Sequence, residues 1–397
     1  MNNRLYELVA RLVAVDTVSH RTNLPAAELL ADQLDACGFA VMVRGYTDPA
    51  GIAKANVVAS IGPEVEGGIL LSGHIDTVPW EQQPGWNSDP LRLVLSGDRY
   101  IGRGIADMKG FLAECAIAAS SLEPDQFRRP LMFLFTADEE VGCLGAARIA
   151  DELASLVGDH PLPKLAWIGE PTSFQIHHAH KSAVLFSVNV RGRGGHSGLP
   201  DRGVNAITIA ARVVDAVAQL NEQLRGEHNE EFRELFSDSP FPTINVGTIQ
   251  GGTAANVIAD QCELRMLYRS MPGRDPLEIY EEVRRRLARL DATERPDAAH
   301  RATIEIGAPT VVPPMLTPRG TRLERALREL ANVGEPTGSL LAADGCRLEP
   351  LGIATLICGP GEFDQAHQPN ESIAARSLER GLELVRRVIH RLCVELD

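Results

Sequence analysis

Short apolar segments that end next to an acidic residue or a histidine recur along this chain, and they constrain its fold more than any other feature. The strand-like stretches 68–73, 131–136 and 165–169 are followed by His74, Asp138-Glu139-Glu140 and Glu170. Apolar residues at helical spacing over 3–15, 26–37 and 110–121 lie between or before these strands. Strands that alternate with helices predict an α/β fold, with a mostly parallel sheet covered by helices on both faces.

The order of elements changes after residue 182. A strand (184–192), a helix (203–224), two strands (243–250 and 261–270), a helix (275–290) and a strand (302–307) follow one another. This is the split βαβ, ferredoxin-like α+β order. A helix at 320–333, a strand at 353–358 and a helix at 373–395 then complete the first domain. We therefore predict one domain from 1–182 and 309–397 and an inserted domain from 183–308.

Composition excludes several classes of protein. The chain has 397 residues and a formal net charge of −14, which argues against a nucleic-acid partner. The run 284–286 of three arginines lies in a helical pattern beside Glu281 and Glu282, as on a solvated helix face. No signal-peptide pattern and no apolar run near the roughly 18 residues of a membrane helix is present. A cytoplasmic protein without a membrane partner, its seven scattered cysteines reduced, is expected.

Five loops carry residues that suit a metal ion. Each is ambiguous alone: a His-x-Asp pair can be a turn, an aspartate before a helix can be a cap, and an acidic run can be a solvated loop. Together they are more specific, because an open parallel sheet brings its loop ends to one edge. Neighbouring carboxylates without Lys or Arg also repel unless a cation lies between them. The candidate ligands are His74, Asp107, Glu140, Glu170 and His367, with Asp76 placed to orient His74 through its carboxylate.

The donor types favour a catalytic centre. Two imidazoles and three carboxylates suit Zn²⁺, with Co²⁺ or Mn²⁺ as alternatives, and the thiolates of a structural zinc site are missing from the set. Two divalent ions about 3.5–4 Å apart, bridged by a carboxylate, can hold a hydroxide and polarise a carbonyl oxygen. This arrangement suits the hydrolysis of an amide.

Taken in order, the motifs resemble the M20 metallopeptidase and deacylase family over essentially the whole chain. They are Ser72-Gly-His-Ile-Asp-Thr-Val-Pro, Gly102-Arg-Gly-Ile-Ala-Asp-Met-Lys-Gly, Asp138-Glu-Glu-Val-Gly, Gly169-Glu-Pro-Thr, Gly194-Gly-His-Ser-Gly and Ala366-His-Gln-Pro-Asn-Glu. The resemblance implies that Asp107 bridges two metal ions. It puts His74 and Glu170 on one ion and Glu140 and His367 on the other, with Glu139 as the general base.

The same resemblance implies that the inserted domain is a lid that also forms a homodimer. It makes His196 a group that stabilises the oxyanion, often across the dimer, and it makes Asn256, Arg269 and the backbone of Gly359 substrate contacts. A turn residue is the alternative for His196, and a surface salt bridge is the alternative for Arg269.

The substrate expected from the resemblance is a small N-acyl amino acid. The acetylornithine deacetylase branch is the most similar, which implies conversion of N-acetylornithine to ornithine and acetate in arginine biosynthesis. Asp344-Gly345, however, is similar to the Ser-Asp-Gly of succinyl-diaminopimelate desuccinylases, and aminoacylase or carboxypeptidase activity is a further alternative. Asp344 could face the ornithine amine. An inactive metal- or amino-acid-binding relative is the alternative from another class, but such a relative would lack Glu139.

Overall fold

The computed structural model describes residues 3–227, 230–293 and 302–395. The chain forms two compact units. The first comprises Met1–His178, Leu316–Thr337 and Ala343–Asp397, and the second comprises Ala179–Met315 and Gly338–Ala342. The short return of Gly338–Ala342 to the second unit was not anticipated from the sequence, and the domain division at 182/183 and 308/309 stays a prediction.

Strands and helices alternate through much of the chain. The strands are β1 (Ala40–Thr47), β2 (Ala53–Ile61), β3 (Ile69–His74), β4 (Val94–Ser96), β5 (Arg99–Ile101), β6 (Leu131–Thr136), β7 (Leu165–Ile168), β8 (His177–His180), β9 (Ala183–Arg191), β10 (Gly195–His196), β11 (Thr243–Gly251), β12 (Val257–Ile258), β13 (Gln261–Arg269), β14 (Thr303–Ile306), β15 (Thr310–Val312), β16 (Met315–Leu316), β17 (Thr337–Ser339), β18 (Ala354–Ile357) and β19 (Ser372–Ala374). The helices are α1 (Asn3–Ala14), α2 (Leu24–Asp35), α3 (Gly110–Ala119), α4 (Leu144–Ala150), α5 (Leu153–Leu156), α6 (Ala206–Arg225), α7 (Glu230–Arg233), α8 (Glu278–Thr293), α9 (Arg322–Ala331), α10 (Gly345–Leu348) and α11 (Ala375–Ile389).

The first unit is built around a sheet in the order β1-β2-β6-β3-β7-β18. Neighbours among β6, β3, β7 and β18 are parallel, whereas β1 and β2 and then β2 and β6 pair in antiparallel fashion. Strands β3 and β6 are buried along their whole length, as a sheet covered on both faces requires. The α/β class is confirmed. The parallel strands end at one edge of the sheet.

Close packing of α3 against the sheet shapes that edge. Every residue of α3 is buried, and the Phe111 and Trp167 rings lie 5.5 Å apart between their centres. A Cβ atom at Gly169 would come within 2.0 Å of the Phe111 ring, so only glycine fits where β7 ends. This contact fixes the backbone immediately before Glu170.

The second unit has the predicted ferredoxin-like order. Its sheet runs β11-β13-β9-β14 with antiparallel pairs throughout. Helix α6 packs the apolar face that includes Ile209, Val213 and Val217 into this unit's core. Its first turn is capped by the Asn205 side chain, which accepts hydrogen bonds from two backbone N–H groups. None of the helices in the described part of the chain combines the length and apolar character needed to cross a bilayer.

The buried Lys54 side chain joins two segments of the first unit near the edge of its sheet, the loop before α2 and the loop after β6. The Lys54 Nζ atom donates to the carbonyl oxygens of Ser19 (2.5 Å) and Arg21 (2.7 Å), and it lies 2.9 Å from Asp138 Oδ1. The other oxygen of Asp138 accepts a hydrogen bond from the Tyr46 hydroxyl. Since Lys54 and Asp138 are both buried, each compensates the charge of the other in a place that water does not reach.

Replacing this lysine should destabilise the protein strongly. We expect Lys54→Met to lower the free energy of unfolding by about 3–5 kcal/mol, because Asp138 is left as a buried, unpaired charge. The exposed Lys164 provides the matched control, and Lys164→Met should change the same quantity by less than about 0.5 kcal/mol. Urea-induced unfolding measures both variants, and equal stability of the two would contradict the assignment.

Candidate metal centre

Five side chains from five separate segments of the chain meet at the carboxyl edge of the parallel strands. They form two groups that share Asp107, and within each group the potential ligand atoms lie within 4.8 Å of one another. The first group is His74, Asp107 and Glu170, and the second is Asp107, Glu140 and His367. Strand β3 ends at His74, and strands β6 and β7 lead directly into the loops of Glu140 and Glu170. The sheet therefore accounts for the meeting of residues that are far apart in the sequence.

Asp107 lies between the two histidines. Its Oδ1 atom is 2.9 Å from His74 Nε2, and its Oδ2 atom is 3.2 Å from His367 Nε2. His367 Nε2 is also 3.1 Å from Glu140 Oε2. One carboxylate thus turns an oxygen towards each group, which is the geometry required of a ligand shared by two ions.

The electrostatics of the cluster favour a bound cation. Burial raises the pKa of Glu170 well above its usual value, and the nearby Asp107 raises it further. Burial also opposes ionisation of Asp107, but hydrogen bonds from His367 and His74 outweigh it and lower the pKa of that carboxyl. Glu170 Oε1 has no hydrogen-bond partner, and within the described ranges no ion pair joins these acids to Lys or Arg. A divalent ion would supply the missing partner and reduce the repulsion, so the donor set fits Zn²⁺ or a similar metal.

Asp76 supports the site differently from the sequence-based expectation. The His74 Nδ1 atom contacts the backbone carbonyl of Asp76 at 2.9 Å, whereas the Asp76 carboxylate Oδ1 is 3.7 Å away. The expectation assumed that the extended strand continues through Asp76, but β3 ends at His74 and Asp76 lies outside it. The carboxylate instead accepts hydrogen bonds from the Ser19 hydroxyl and from the backbone N–H groups of Glu139 and Glu140. It therefore orients the acidic loop.

Glu139 lies beside the two ligand groups without belonging to either. It forms a third group with Cys143 and Asp344, and the Cys143 thiol donates to its Oε1 atom at 3.5 Å. Burial is the main cause that raises its pKa well above the usual value. Cys143 was not identified from the sequence, because a cysteine without a patterned neighbour is indistinguishable there from a small apolar residue.

Asp344 is almost completely buried, with 1% of its surface exposed. Its Oδ2 atom accepts a hydrogen bond from the Thr136 hydroxyl, whereas Oδ1 has no hydrogen-bond partner. Burial raises the pKa of this carboxyl to about 6. An unpartnered oxygen in such surroundings could accept a hydrogen bond from a cationic group.

Gly359 has a steric reason to be glycine. A Cβ atom there would lie 2.3 Å from the carbonyl oxygen of Gly169 and 2.5 Å from that of Glu170. Its N–H group donates to the Thr172 hydroxyl at 3.1 Å. Gly359 thus packs against the loop of a candidate ligand, and its contact with a substrate remains a prediction.

The other three predicted site residues lie in the second unit. His196 and Asn256 are exposed and in adjacent segments, since Ser197 N–H donates to the Asn256 carbonyl oxygen at 3.0 Å. Arg269 ends β13, is partly buried, and has a buried Nη1 atom without a hydrogen-bond partner. Burial lowers the pKa of its guanidinium. A desolvated guanidinium of this kind is suited to an anionic partner.

Comparison with known proteins identifies the class of the chain. Residues 70–391 match the model of peptidase family M20/M25/M40. The match spans more than half of the chain, which therefore belongs to this family of hydrolases.

Solved structures of the same fold cover almost the whole chain. A tripeptidase from Staphylococcus aureus is 22% identical with a TM-score of 0.72, covering 98% of this chain and 97% of that one. An M20 metallo-carboxypeptidase from Sulfolobus solfataricus is 18% identical with a TM-score of 0.79, covering 98% and 99%. A dinuclear metal-binding M20 peptidase from Bacillus subtilis is 15% identical with a TM-score of 0.64, covering 98% of both. At these identities the likeness shows the fold alone.

Metal binding should stabilise the folded protein. We expect Zn²⁺ or Co²⁺ added to the metal-free protein to raise its thermal unfolding midpoint, by the equivalent of about 2.7 kcal/mol for one site at 100 times its dissociation constant. Differential scanning calorimetry measures the shift. Asp107→Asn should remove most of it because both groups share this residue, whereas the exposed Asp98→Asn should retain it. An equal shift in both variants would show that the ions bind elsewhere.

Proposed function

We propose that this protein hydrolyses the amide bond of N-acyl amino acids at a centre of two divalent metal ions. The observation that carries the proposal is the position of Asp107, whose two oxygens face two different ligand groups. His74 and Glu170 would hold one ion and Glu140 and His367 the other, with Asp107 shared. Zn²⁺ is the expected metal and Co²⁺ an alternative. Bound ions of this kind lower the pKa of a water molecule and polarise the carbonyl group of the substrate.

Glu139 is proposed as the group that moves the proton. It would accept a proton from the attacking water and deliver it to the nitrogen of the leaving amine, which requires a carboxylate close to the ions but not bound to them. Its place outside both ligand groups supports this role. Asp76 assists by holding the backbone N–H of Glu139. His196 is proposed to stabilise the oxyanion of the tetrahedral intermediate.

N-acetylornithine is the proposed substrate, which would place the enzyme in arginine biosynthesis. Arg269 suits the substrate carboxylate because its buried Nη1 atom has no hydrogen-bond partner. The unpartnered Oδ1 atom of Asp344 suits the ornithine ammonium group. Asn256 and Gly359 are proposed as further contacts. A cytoplasmic homodimer in which the second unit serves as the lid and dimerisation domain completes the proposal.

Other acyl groups and peptides are the alternatives within the same chemistry. Succinyl-diaminopimelate desuccinylase activity is favoured by the resemblance around Asp344. Peptidase activity is compatible with the fold, because similar structures include a tripeptidase and a metallo-carboxypeptidase. An inactive binding protein is less compatible, since Glu139 lies beside the ligand groups.

Removal of the carboxylate of Glu139 should slow catalysis strongly without removing the metal. We expect Glu139→Gln to lower kcat by roughly 10²–10⁴-fold, because the amide cannot accept the proton of the attacking water. Metal content measured by mass spectrometry should stay at the wild-type value. Glu66→Gln, an exposed change of the same kind, serves as the control. A variant that keeps its rate would require another base.

A panel of substrates tests the proposed specificity. We expect the highest kcat/KM for N-acetylornithine among acetyl, succinyl and formyl amino acids and dipeptides, and we expect a chelator to abolish all turnover. Asp344→Asn should raise the KM for N-acetylornithine more than that for N-acetylalanine, which has no side-chain amine. Activity that survives complete metal removal would contradict the metal mechanism, and a higher kcat/KM for another member of the panel would replace the substrate.

A further inference from the structure

A single buried carboxylate holds the backbone around Asp107. Glu371, which directly precedes β19, has 1% of its surface exposed. Its Oε1 atom accepts hydrogen bonds from the N–H groups of Ala106 (2.9 Å) and Asp107 (3.1 Å). Its Oε2 atom accepts from the N–H group of Gly104 (3.0 Å) and from the Arg103 guanidinium (2.8 Å). Four donors thus converge on two oxygens.

The backbone of this segment depends on an outside acceptor. Gly104 has a φ of +80°, and Asp107 has a φ of −126° and a ψ of 90°, so the regular helix begins only after them, at Gly110. N–H groups in such a segment have no regular helical partner, and leaving them unpaired in a buried place is costly. Glu371 supplies the acceptors that a helix or strand would otherwise provide.

Hydrogen bonds also lead from Glu371 to His367, a second candidate ligand, through Arg103 and Gln83. The Arg103 guanidinium, itself buried, also donates to Gln83 Oε1 and lies 5.1 Å from the centre of the Trp86 ring. Gln83 in turn donates through Nε2 to the carbonyl oxygen of His367 at 3.0 Å. Glu371, Arg103 and Gln83 therefore connect the backbone at Asp107 with the backbone at His367.

We propose that Glu371 is a positioning residue that sets Asp107 at the angle needed to serve both metal ions. This inference rests on the proposed function, since it assumes that Asp107 is the shared ligand. Asp107 can face both groups only while its carboxylate keeps its present orientation. That orientation depends on the backbone that Glu371 holds. Arg103 balances the negative charge that Glu371 adds close to an already acidic centre.

Glu371→Gln tests this role, because it preserves the size of the side chain and replaces one acceptor by a donor. The amide N–H₂ group would face backbone N–H groups or the guanidinium, so the segment around Asp107 would shift. We expect 10–100-fold weaker binding of Co²⁺ to the metal-free protein, as for other groups that orient metal ligands. Titration followed by the visible absorption of bound Co²⁺ measures this affinity without reference to activity.

The matched control lies in the same loop. Glu362 pairs with Arg99 at 2.7 Å and is much more exposed, so Glu362→Gln should bind Co²⁺ with wild-type affinity. If Glu371→Gln does not fold, Arg103→Lys replaces it, because a lysine ammonium cannot reproduce the contacts of the guanidinium with both Glu371 and Gln83. That variant should bind Co²⁺ more weakly than wild type.

Kinetic constants separate positioning from a purely structural role. In the metal-saturated Glu371→Gln variant, kcat should fall while KM for the best substrate stays near its wild-type value. A variant that only unfolds more easily, but whose folded form has wild-type Co²⁺ affinity and kcat, would overturn the inference. Failure of the wild-type protein to bind two divalent ions or to cleave amides would instead overturn the proposed function.

Discussion

Repulsion among buried carboxylates at one edge of a sheet is the constraint on which the rest of the site depends. Asp107, Glu140 and Glu170 lie close together, and burial raises the pKa of the two glutamates. A divalent ion bound among these carboxylates would reduce the repulsion between them. The parallel strands of the first unit make the arrangement possible, because each strand delivers a short loop to the same edge and the hydrogen-bonded sheet resists their separation.

The protein orients these acids mainly with neutral groups. Backbone N–H groups of the acidic loop bind the Asp76 carboxylate, and those of the Asp107 segment bind Glu371. The buried cations Lys54 and Arg103 lie one step further out, where they pair with Asp138 and Glu371. A lysine or arginine in direct contact with the ligands would compete with a metal ion for them. Because Lys54 and Arg103 pair with Asp138 and Glu371, they leave the charges of the candidate ligands themselves to be neutralised by a metal ion.

The sequence predicted what depends on local pattern. The parallel strands and the ferredoxin-like unit follow from apolar periodicity. The meeting of the five candidate ligands follows from their positions at the ends of strands or in the loops that an open sheet brings to one edge. The antiparallel edge strand β1 was missed because its residues are largely exposed and show no regular alternation. The hydrogen bonds of Asp76 and Glu371 with backbone N–H groups could not be predicted. Every residue except proline has such a group, so the sequence does not mark the ones that act as donors, and these donors are distant in the sequence from the carboxylates that accept from them.

The division of the candidate residues between the two units bears on how substrates are distinguished. All five candidate ligands and Glu139 belong to the first unit, and His196, Asn256 and Arg269 belong to the second. Under the proposed function, metal binding and proton transfer are assigned to the first unit, and the proposed contacts of His196, Asn256 and Arg269 with the substrate are assigned to the second. Asp344 is the exception, because it lies in the first unit beside Glu139 and has an oxygen without a partner. A substrate amine bound at Asp344 would lie next to Glu139. If Glu139 moves the proton as proposed, Asp344 couples the choice of substrate to the chemistry more directly than Arg269 does.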